Sequence, residues 1–339
     1  MIRIFHNTNY EFIRWWRVAA GLTIAFIVAG LVSFAVKGGV NYSIEFTGGT
    51  LMQLQFKIPP DVGVLRSTLD KAGITGAEIQ QFGTDLDYTV RARDEKQVQE
   101  QATVGAEGIS KRIEAALVKQ FGVGAMTVVR TEAVGPKVGS ELRQGAFYAM
   151  IITSLFTLMY LAFRFDWRFG VAAVVSTAHD ILVTFAFIKI LHIEVSLTVV
   201  AAILTLLGYS ANDTIIIFDR VRENLRKRGK GEPFRKLLDR SINETLPRSI
   251  MTHATVLAAT LALLVFAGEV IRPFAWVMTF GVFVATFSSI YVAGPVLLWI
   301  ESRYPRATTD NRGKTSRIDT GAEPTPNAKP RSTERVGTR

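Results

Sequence analysis

The hydrophobic residues of this chain fall into six long runs separated by polar segments. Each run has about 19 residues or more, enough for an α-helix to cross the hydrocarbon core of a bilayer. The pattern predicts membrane-spanning helices over Val18–Val36, Gly145–Phe163, Phe169–Leu191, Val195–Phe218, Arg248–Ala267 and Pro273–Ile300. The predicted fold class is therefore an α-helical polytopic membrane protein with six transmembrane helices.

The stretch between the first two predicted helices, residues 37–143, has a different pattern. Its short alternating or β-branched segments predict strands, and its segments with one apolar face predict helices. In chain order these are strand 40–56 with a bend at Thr47–Thr50, helix 60–72, strands 77–82 and 87–92, helix 94–121 and strand 125–134. The order β-α-β-β-α-β is that of the ferredoxin-like fold. A generic α+β domain with the same order is the alternative.

Charge separates the polar segments into two groups. Residues 37–143 hold 13 Lys and Arg against 13 Asp and Glu, whereas residues 219–248 hold 10 against 5 and residues 301–339 hold 9 against 5. Excess positive charge in alternate loops is typical of cytoplasmic segments. We therefore expect both termini and the loop 219–247 in the cytoplasm, with the α+β domain on the outer, periplasmic side.

The domain organisation follows from these patterns. Residues 1–36 form a cytoplasmic lead and the first helix, residues 37–143 the outer domain, and residues 144–303 the remaining five helices. The tail 304–339, rich in Thr, Arg, Pro and Gly, is predicted to be disordered. No nucleic-acid-binding motif accompanies the net charge of +10, so we expect no nucleic-acid partner.

The fourth predicted helix carries an ionisable residue in its interior. Asp213 follows Asn212, and Tyr209 and Ser210 precede Asp213 by four and three residues, so both share its helical face. A carboxylate at this depth costs at least about 2.5–3.5 kcal/mol, and such residues usually mark ion or proton pathways. The alternative is that Asp213 holds helices together through hydrogen bonds.

The third and fifth predicted helices add further candidates. Asp180 follows His179 and shares a face with Ser176 and Thr184. Arg248 begins the fifth helix, and a pair between Asp213 and Arg248 that a proton makes and breaks would suit ion-coupled movement. The alternative for Arg248 is a positive residue at the helix entrance that extends to the interface.

The sequence contains no signal for an enzyme, and we predict neither a cofactor nor a metal site. It has no cysteine, which excludes disulfides and thiolate ligands. It also has no phosphate-binding glycine loop and no zinc-ligand cluster. If the protein does work, the energy must come from an ion gradient or from a partner.

Three motifs carry a resemblance to a known family. SIEFTGG at Ser43–Gly49, the pair His179-Asp180, and GYSANDT at Gly208–Thr214 followed by FDRVRE from Phe218 are similar to motifs of the SecD/SecF family. This family of protein-export membrane proteins belongs to the resistance–nodulation–division superfamily. The six-helix layout agrees over residues 1–304. Ser43 and Glu45 depart from the family's glycine and aspartate, which puts a tight-turn role there in doubt, and His253 replaces a small polar residue.

The resemblance implies a function that composition does not reveal. SecF-like members work in the bacterial inner membrane with SecD and the SecY–SecE–SecG channel, and use the proton motive force to draw exported preproteins outward. It implies these partners, with YajC and membrane lipid as further candidates. It suggests Asp213 as the proton-responsive carboxylate and Arg248 as the arginine of the fifth helix. The full set of residues predicted for proton or ion coupling is Asp213, Arg248, Asn212, Tyr209, Asp180 and His179. The family motif after the first helix is Glu45, Phe46, Thr47, Gly48 and Gly49.

Two other readings remain open on the residues alone. The chain could be half of a transporter of the same superfamily that exports lipid or small molecules. Alternatively, it could be a non-transporting assembly factor in which the charged residues fix helix packing.

Overall fold

The computed structural model describes residues 8–36, 38–92, 106–228, 232–268 and 270–305, with backbone also at 307–309 and 315–317. Within these ranges six helical segments are long and apolar enough to cross a membrane, as the hydrophobic runs predict. In chain order the helices are α1 (Trp16–Val36), α2 (Ile44–Thr47), α3 (Val62–Lys71), α4 (Ala106–Phe121), α5 (Pro136–Arg164), α6 (Trp167–Ile190), α7 (Leu197–Arg226), α8 (Phe234–Phe266), α9 (Arg272–Ser288) and α10 (Gly294–Arg303).

Three of the long helical segments form the centre of the bundle. More than half of the apolar part of α6, of α7 and of the segment α9–α10 is buried, whereas α1, α5 and α8 bury far less of theirs. The interior segments carry the buried polar side chains Asp180, Asp213 and Ser288, and α8 also buries polar side chains, among them Asp239 and Ser249. A polar residue is tolerated in a membrane helix where neighbouring helices supply its hydrogen bonds.

Two glycines allow helices to approach closely. A Cβ atom at Gly281 of α9 would lie 2.1 Å from Leu206 of α7, and one at Gly30 of α1 would lie 2.5 Å from Ala186 of α6. Small residues at such crossings let backbones pack tightly in membranes. Gly294 packs more loosely, 3.2 Å from Ile13 by the same measure, and Gly145 and Gly208 would meet nothing within 4 Å. The sequence predicts close helix contacts at Gly145, Gly208, Gly281 and Gly294, and of these four Gly281 has the tightest contact.

The start of the described chain is held against the first half of α8. The amide of Ile13 donates to Asp239 Oδ1 at 3.0 Å, and Asn243 both accepts from the Tyr10 amide and donates to the Tyr10 carbonyl at 2.9 Å. Ile13 itself is buried beside Leu238. Asp239 thus satisfies a free amide of the turn Phe12–Trp15, which leads into α1, and Asn243 satisfies the backbone of Tyr10 just before it.

The α+β domain is a four-stranded antiparallel sheet with α3 and α4. The strands are β1 (Gly49–Phe56), β2 (Glu78–Gln81), β3 (Asp87–Ala92) and β4 (Met126–Val134). They lie side by side in the order β2-β3-β1-β4. Leu54 and Val90 of the sheet pack with Leu65, Leu69 and Ile113 of the helices. The elements follow the predicted β-α-β-β-α-β order, and the part of the predicted second helix at 94–105 lies outside the described residues.

Several predicted boundaries differ from the structure. The predicted strand 40–56 begins only at Gly49, because Ile44–Thr47 forms one helical turn. The predicted helix 145–163 begins at Pro136, so α5 continues from the domain into the apolar run. The cytoplasmic loop 219–247 is predicted to be an amphipathic helix with a break at 229–231, and its described part is mostly helical. It continues the neighbouring helices, since α7 extends to Arg226 and α8 begins at Phe234 with Pro247 inside it. Its predicted break at 229–231 lies outside the described residues.

The sixth spanning segment is interrupted. A π-helical turn, Ser289–Ala293, joins α9 to α10. Pro295 lacks the backbone N–H that would continue the ordinary helical pattern, which favours such an irregularity.

The tail is described only in small part. Ala307–Thr309 pairs with Thr315–Arg317 as two antiparallel strands. The other residues beyond 305 lie outside the described ranges, so the predicted disorder of 304–339 stays a prediction.

Candidate functional site

Two carboxylates lie buried in the centre of the bundle. Asp180 of α6 is 8% exposed and Asp213 of α7 is 3% exposed. Burial in a low-dielectric interior disfavours a charged carboxylate unless hydrogen bonds or a cation compensate. The identity of their partners therefore decides what these residues do.

Serine hydroxyls surround Asp213. Ser249 of α8 donates to one carboxylate oxygen, and Ser289 of the π turn donates to the other at 2.5 Å. Both serines are fully or nearly fully buried. Asp213 is thus the point where α7, α8 and the π turn meet, and its described partners are neutral.

Asp180 has a matching environment. Ser210 of α7 and Ser288 of α9 both donate to Oδ2, the latter at 2.7 Å. His179 Nδ1 lies 2.9 Å from Oδ1, which forms the hydrogen bond that the adjacency of the two residues suggests. A narrow crevice lined by Thr177, Thr184 and apolar side chains reaches Asp180 and Ser210.

Two consecutive residues connect the carboxylates. Ser288 binds Asp180, and Ser289, the next residue, binds Asp213. The junction of α9 with the π turn falls between these two serines. π-Helical turns frequently lie at functional sites. A change at either carboxylate therefore acts on one short, irregular piece of backbone.

The predicted pair of Asp213 and Arg248 is absent from this structure. Both residues are described, yet no ion pair within 4 Å joins them, and the neighbouring Ser249 takes the contact instead. The helical rotation between consecutive residues turns Arg248 outward, where its side chain is exposed. Asn212 is exposed in the same way on α7, so it does not join Asp213 in the interior.

Tyr209 and His253 lie at the edge of this site. The Tyr209 hydroxyl donates to the Thr252 carbonyl at 3.4 Å, and its ring meets that of His253 edge to face at 5.1 Å. His253 is buried, with Nδ1 2.6 Å from the Ser249 carbonyl. The sequence predicts no role for His253, but His253 contacts Ser249, which in turn donates to Asp213.

The motif after α1 contacts the helix that carries Asp213. Glu45 Oε2 accepts a hydrogen bond of 2.6 Å from the amide of Leu197, the first residue of α7. The helix also has its own cap, because Ser196 Oγ accepts from the Val199 amide at 3.3 Å. Glu45 thus satisfies a helix-terminal amide from a position far away in the chain, and its negative charge suits the helix N-terminus.

The other motif residues shape this contact. Phe46 is buried against the α7 start, and Thr47 closes the helical turn on the Ser43 carbonyl at 3.1 Å. Gly48 and Gly49 have φ of 74° and 126°, a region that side chains disfavour. Ser43 has φ −69°, so this position does not require the family's glycine and the turn forms without it.

Comparison with known proteins identifies the family. The sequence model described as "Protein export membrane protein SecD/SecF, C-terminal" matches residues 113–303, and the model described as "SecD/SecF GG Motif" matches residues 32–57. The chain belongs to the SecD/SecF family. The first match contains both buried carboxylates and their serines, and the second contains Glu45.

SecF relatives match nearly the whole chain. "Protein translocase subunit SecF" of Gemmatimonas aurantiaca is 72% identical over 339 residues, covering 100% of both chains. The SecF proteins of Vibrio alginolyticus and Escherichia coli O157:H7 are 39% and 35% identical, covering 85% of this chain and 88% and 87% of theirs. With the six apolar helices, these relatives establish a multi-pass membrane protein of the SecF type.

A solved structure of SecDF shares the fold. The crystal structure of SecDF from Thermus thermophilus, titled a translocon-associated membrane protein, superposes with a TM-score of 0.74 at 34% identity. The match covers 89% of this chain but 40% of the SecDF chain. A SecDF structure in a super-membrane-facing form gives a TM-score of 0.60. This SecD/SecF-family chain therefore spans well under half of the solved SecDF chain.

Most of the serines that bind the carboxylates were not predicted from the sequence. Ser249, Ser288 and Ser289 were not among the candidates, although Ser210 was placed on the face of Asp213. The adjacent serines inside an otherwise apolar run were the available signal, because hydroxyls between membrane helices usually bond across them.

Proposed function

We propose that this chain is the SecF-type subunit of the Sec protein-export machinery, and that it uses the proton motive force with SecD to promote late translocation of preproteins. It would work in the bacterial inner membrane beside the SecY–SecE–SecG channel, with both termini in the cytoplasm. The observation that carries the proposal is a pair of buried carboxylates bound by serine hydroxyls from four helical segments. In this proposal the chain acts by movement and catalyses no reaction.

The chemistry of the site suits reversible proton binding. An ionised carboxylate in a dry interior is costly, and a proton removes that cost. Hydroxyl groups accept as well as donate, so they can satisfy either form. When Asp213 is protonated, its carboxyl group would donate a hydrogen bond to a serine of α8 or of the π turn instead of accepting one. The helices would then repack between two arrangements.

Contacts at the outer end of α7 support coupling to the α+β domain. Glu45 binds the first amide of α7, and Val195, just before α7, exchanges backbone hydrogen bonds with Ser43 and Asn41 at 2.9 and 2.7 Å. Arg91 of β3 pairs with Glu194 of the same loop. A displacement of α7 would therefore act directly on the segment that enters the sheet.

An uncovered polar face supports a partner of the SecD type. Arg248 and Asn212 are exposed at the level of the buried site, and lipid is a poor environment for a charged side chain. The solved SecDF chain is more than twice as long as the part that this chain matches. We propose that a SecD half covers this face, with YajC and lipid around the assembly.

Export in inverted membrane vesicles tests the function. With Asp213→Asn, which keeps the size of the side chain and removes titration, we expect normal assembly and loss of the gradient-dependent part of export. Asp85→Asn, at an exposed position of the α+β domain, is the matched control and should export as the wild type does. Unchanged gradient-dependent export in Asp213→Asn would refute the assignment of Asp213.

A further inference from the structure

The hydroxyls of Ser288 and Ser289 each have two acceptors within reach. Ser288 Oγ lies 2.7 Å from Asp180 Oδ2 and 3.2 Å from the Ala285 carbonyl. Ser289 Oγ lies 2.5 Å from Asp213 Oδ2 and 3.0 Å from the Thr286 carbonyl. A hydroxyl carries one hydrogen, so it donates fully to one acceptor at a time.

The protonation state of the carboxylate decides which acceptor is used. An ionised carboxylate has no hydrogen and is the stronger acceptor, so the serine donates to it. A protonated carboxyl donates to the serine oxygen, and the serine hydrogen is then free to bond the carbonyl three residues before it. A proton on the carboxylate oxygen that faces Ser288 or Ser289 therefore moves a hydrogen bond from the carboxylate onto the backbone of α9.

The affected carbonyls lie where the helix is already irregular. Ala285 and Thr286 are in the last turn of α9, directly before the π turn Ser289–Ala293, and Pro295 removes one amide from the next turn. Added hydroxyl bonds to carbonyls of a membrane helix bend it slightly. A π turn followed by proline is the part of the segment where such a bend meets least resistance from regular hydrogen bonding.

We propose that Ser288 and Ser289 are positioning residues that transmit the protonation of Asp180 and Asp213 to the α9–α10 segment. The hydroxyl switch is a property of the site itself, and its part in export rests on the proposed function. Because the serines are consecutive, they are about 100° apart around the helix. One backbone element therefore receives the state of both carboxylates.

Other titratable groups around the carboxylates are unchanged in a serine variant. His179 contacts Asp180 from the same helix. Around Asp213 they are Tyr209 on α7 and His253 and Arg248 on α8, the last of them exposed. A serine-to-alanine change removes one donor to the ionised form and leaves these groups in place.

Infrared titration of the full chain in lipid nanodiscs tests the proposal without export. Spectra of protein with isotope-labelled Asp follow the carboxyl absorption band as a function of pH. Recording the same spectra in Asp180→Asn and Asp213→Asn variants shows which of the two residues gives each band. Loss of a hydrogen bond to a charged group costs about 1.5–3 kcal/mol, so Ser289→Ala should move the titration midpoint of Asp213 upward by about one to two pH units. Ser288→Ala should do the same for Asp180.

Two further variants make the result decisive. Ser176→Ala is the matched control, since Ser176 is fully buried on α6 and its hydroxyl has no partner among the described residues. It should leave both midpoints unchanged. Ser289→Cys keeps a slightly larger side chain in place of the serine and weakens the donor, and it should give an intermediate shift of the Asp213 midpoint even if the alanine variant fails to assemble.

The outcomes separate the two proposals. Midpoints that stay at the wild-type pH in both Ser288→Ala and Ser289→Ala, or that move equally in Ser176→Ala, would overturn the serine assignment. Vesicle export measured on the same variants should show its pH profile shifted in the same direction as the infrared midpoint. If the midpoint shifts and export lacks any gradient dependence in the wild type, the proposed function fails and the hydroxyl switch stands.

Discussion

At the scale of single residues, the partners of a buried acid determine what its titration does. A guanidinium partner only donates, so it would face a protonated carboxyl with an unmatched donor. The serines around Asp180 and Asp213 both donate and accept, and no partner is lost when a proton binds. The site can therefore form a similar number of hydrogen bonds whether the carboxylates are ionised or protonated.

The contact between Gly281 and Leu206 gives a residue-scale prediction. Gly281→Ala places a methyl group about 2.1 Å from the Leu206 side chain, and overpacking of this kind costs about 1–3 kcal/mol. We expect a lower unfolding temperature in detergent and weaker packing of α9 on α7. Gly208→Ala is the matched control, because nothing lies within 4 Å and alanine favours helix by about 1 kcal/mol. Equal stability of the two variants would contradict the tight crossing.

At the scale of elements, α7 is secured at its outer end by a residue from another part of the chain. Glu45→Ala removes the acceptor for the Leu197 amide and a negative charge at the helix start, which together should lower the stability by about 0.5–2 kcal/mol. Glu45→Gln keeps a hydrogen-bond acceptor, so it should lower the stability by less than half as much as Glu45→Ala does. The measurement is thermal unfolding of the full chain. A larger loss in Glu45→Gln than in Glu45→Ala would show that the contact is not a cap.

The elements were also the level at which the sequence was most informative. The six spanning segments follow from apolar length alone, and β3 was predicted at its observed bounds, 87–92. Helix ends were less well predicted because α5 and α7 continue through polar residues, where an apolar run gives no signal.

The carboxylates were predictable and their environment was not. An aspartate in an apolar run is conspicuous, whereas Ser249 and Ser289 are small, common in membrane helices, and separated from Asp213 by 36 and 76 positions. Contacts between residues so far apart in the sequence depend on how each helix is rotated about its axis. The rotation of α8 places Ser249 inside the site and the preceding residue, Arg248, outside it. Glu45 is a similar case, 152 positions from the amide that it binds.

At the scale of the whole molecule, Arg91 joins the sheet to the membrane bundle. It pairs with Glu194 beside α7 and, at 3.4 Å, with Glu78 of β2. A double-mutant cycle of Arg91→Ala and Glu194→Ala should give a coupling energy of about 0.5–3 kcal/mol in thermal unfolding. The cycle with the more exposed Glu78 should give less, about 0.2–1 kcal/mol. No coupling in the first cycle would mean that the Arg91–Glu194 pair does not hold the sheet to the bundle.

The attachment of the chain's beginning to α8 has a consequence for how the protein is made. Ile13 bonds Asp239, which lies 226 positions later, so this contact is unavailable until most of the chain has left the ribosome. At about 5–20 residues per second, α1 would wait roughly 11 to 45 seconds for α8. During that interval α1 can already cross α6 at Gly30 and Ala186, which are made earlier, but the segment that precedes α1 stays unattached until Asp239 and Asn243 have been made.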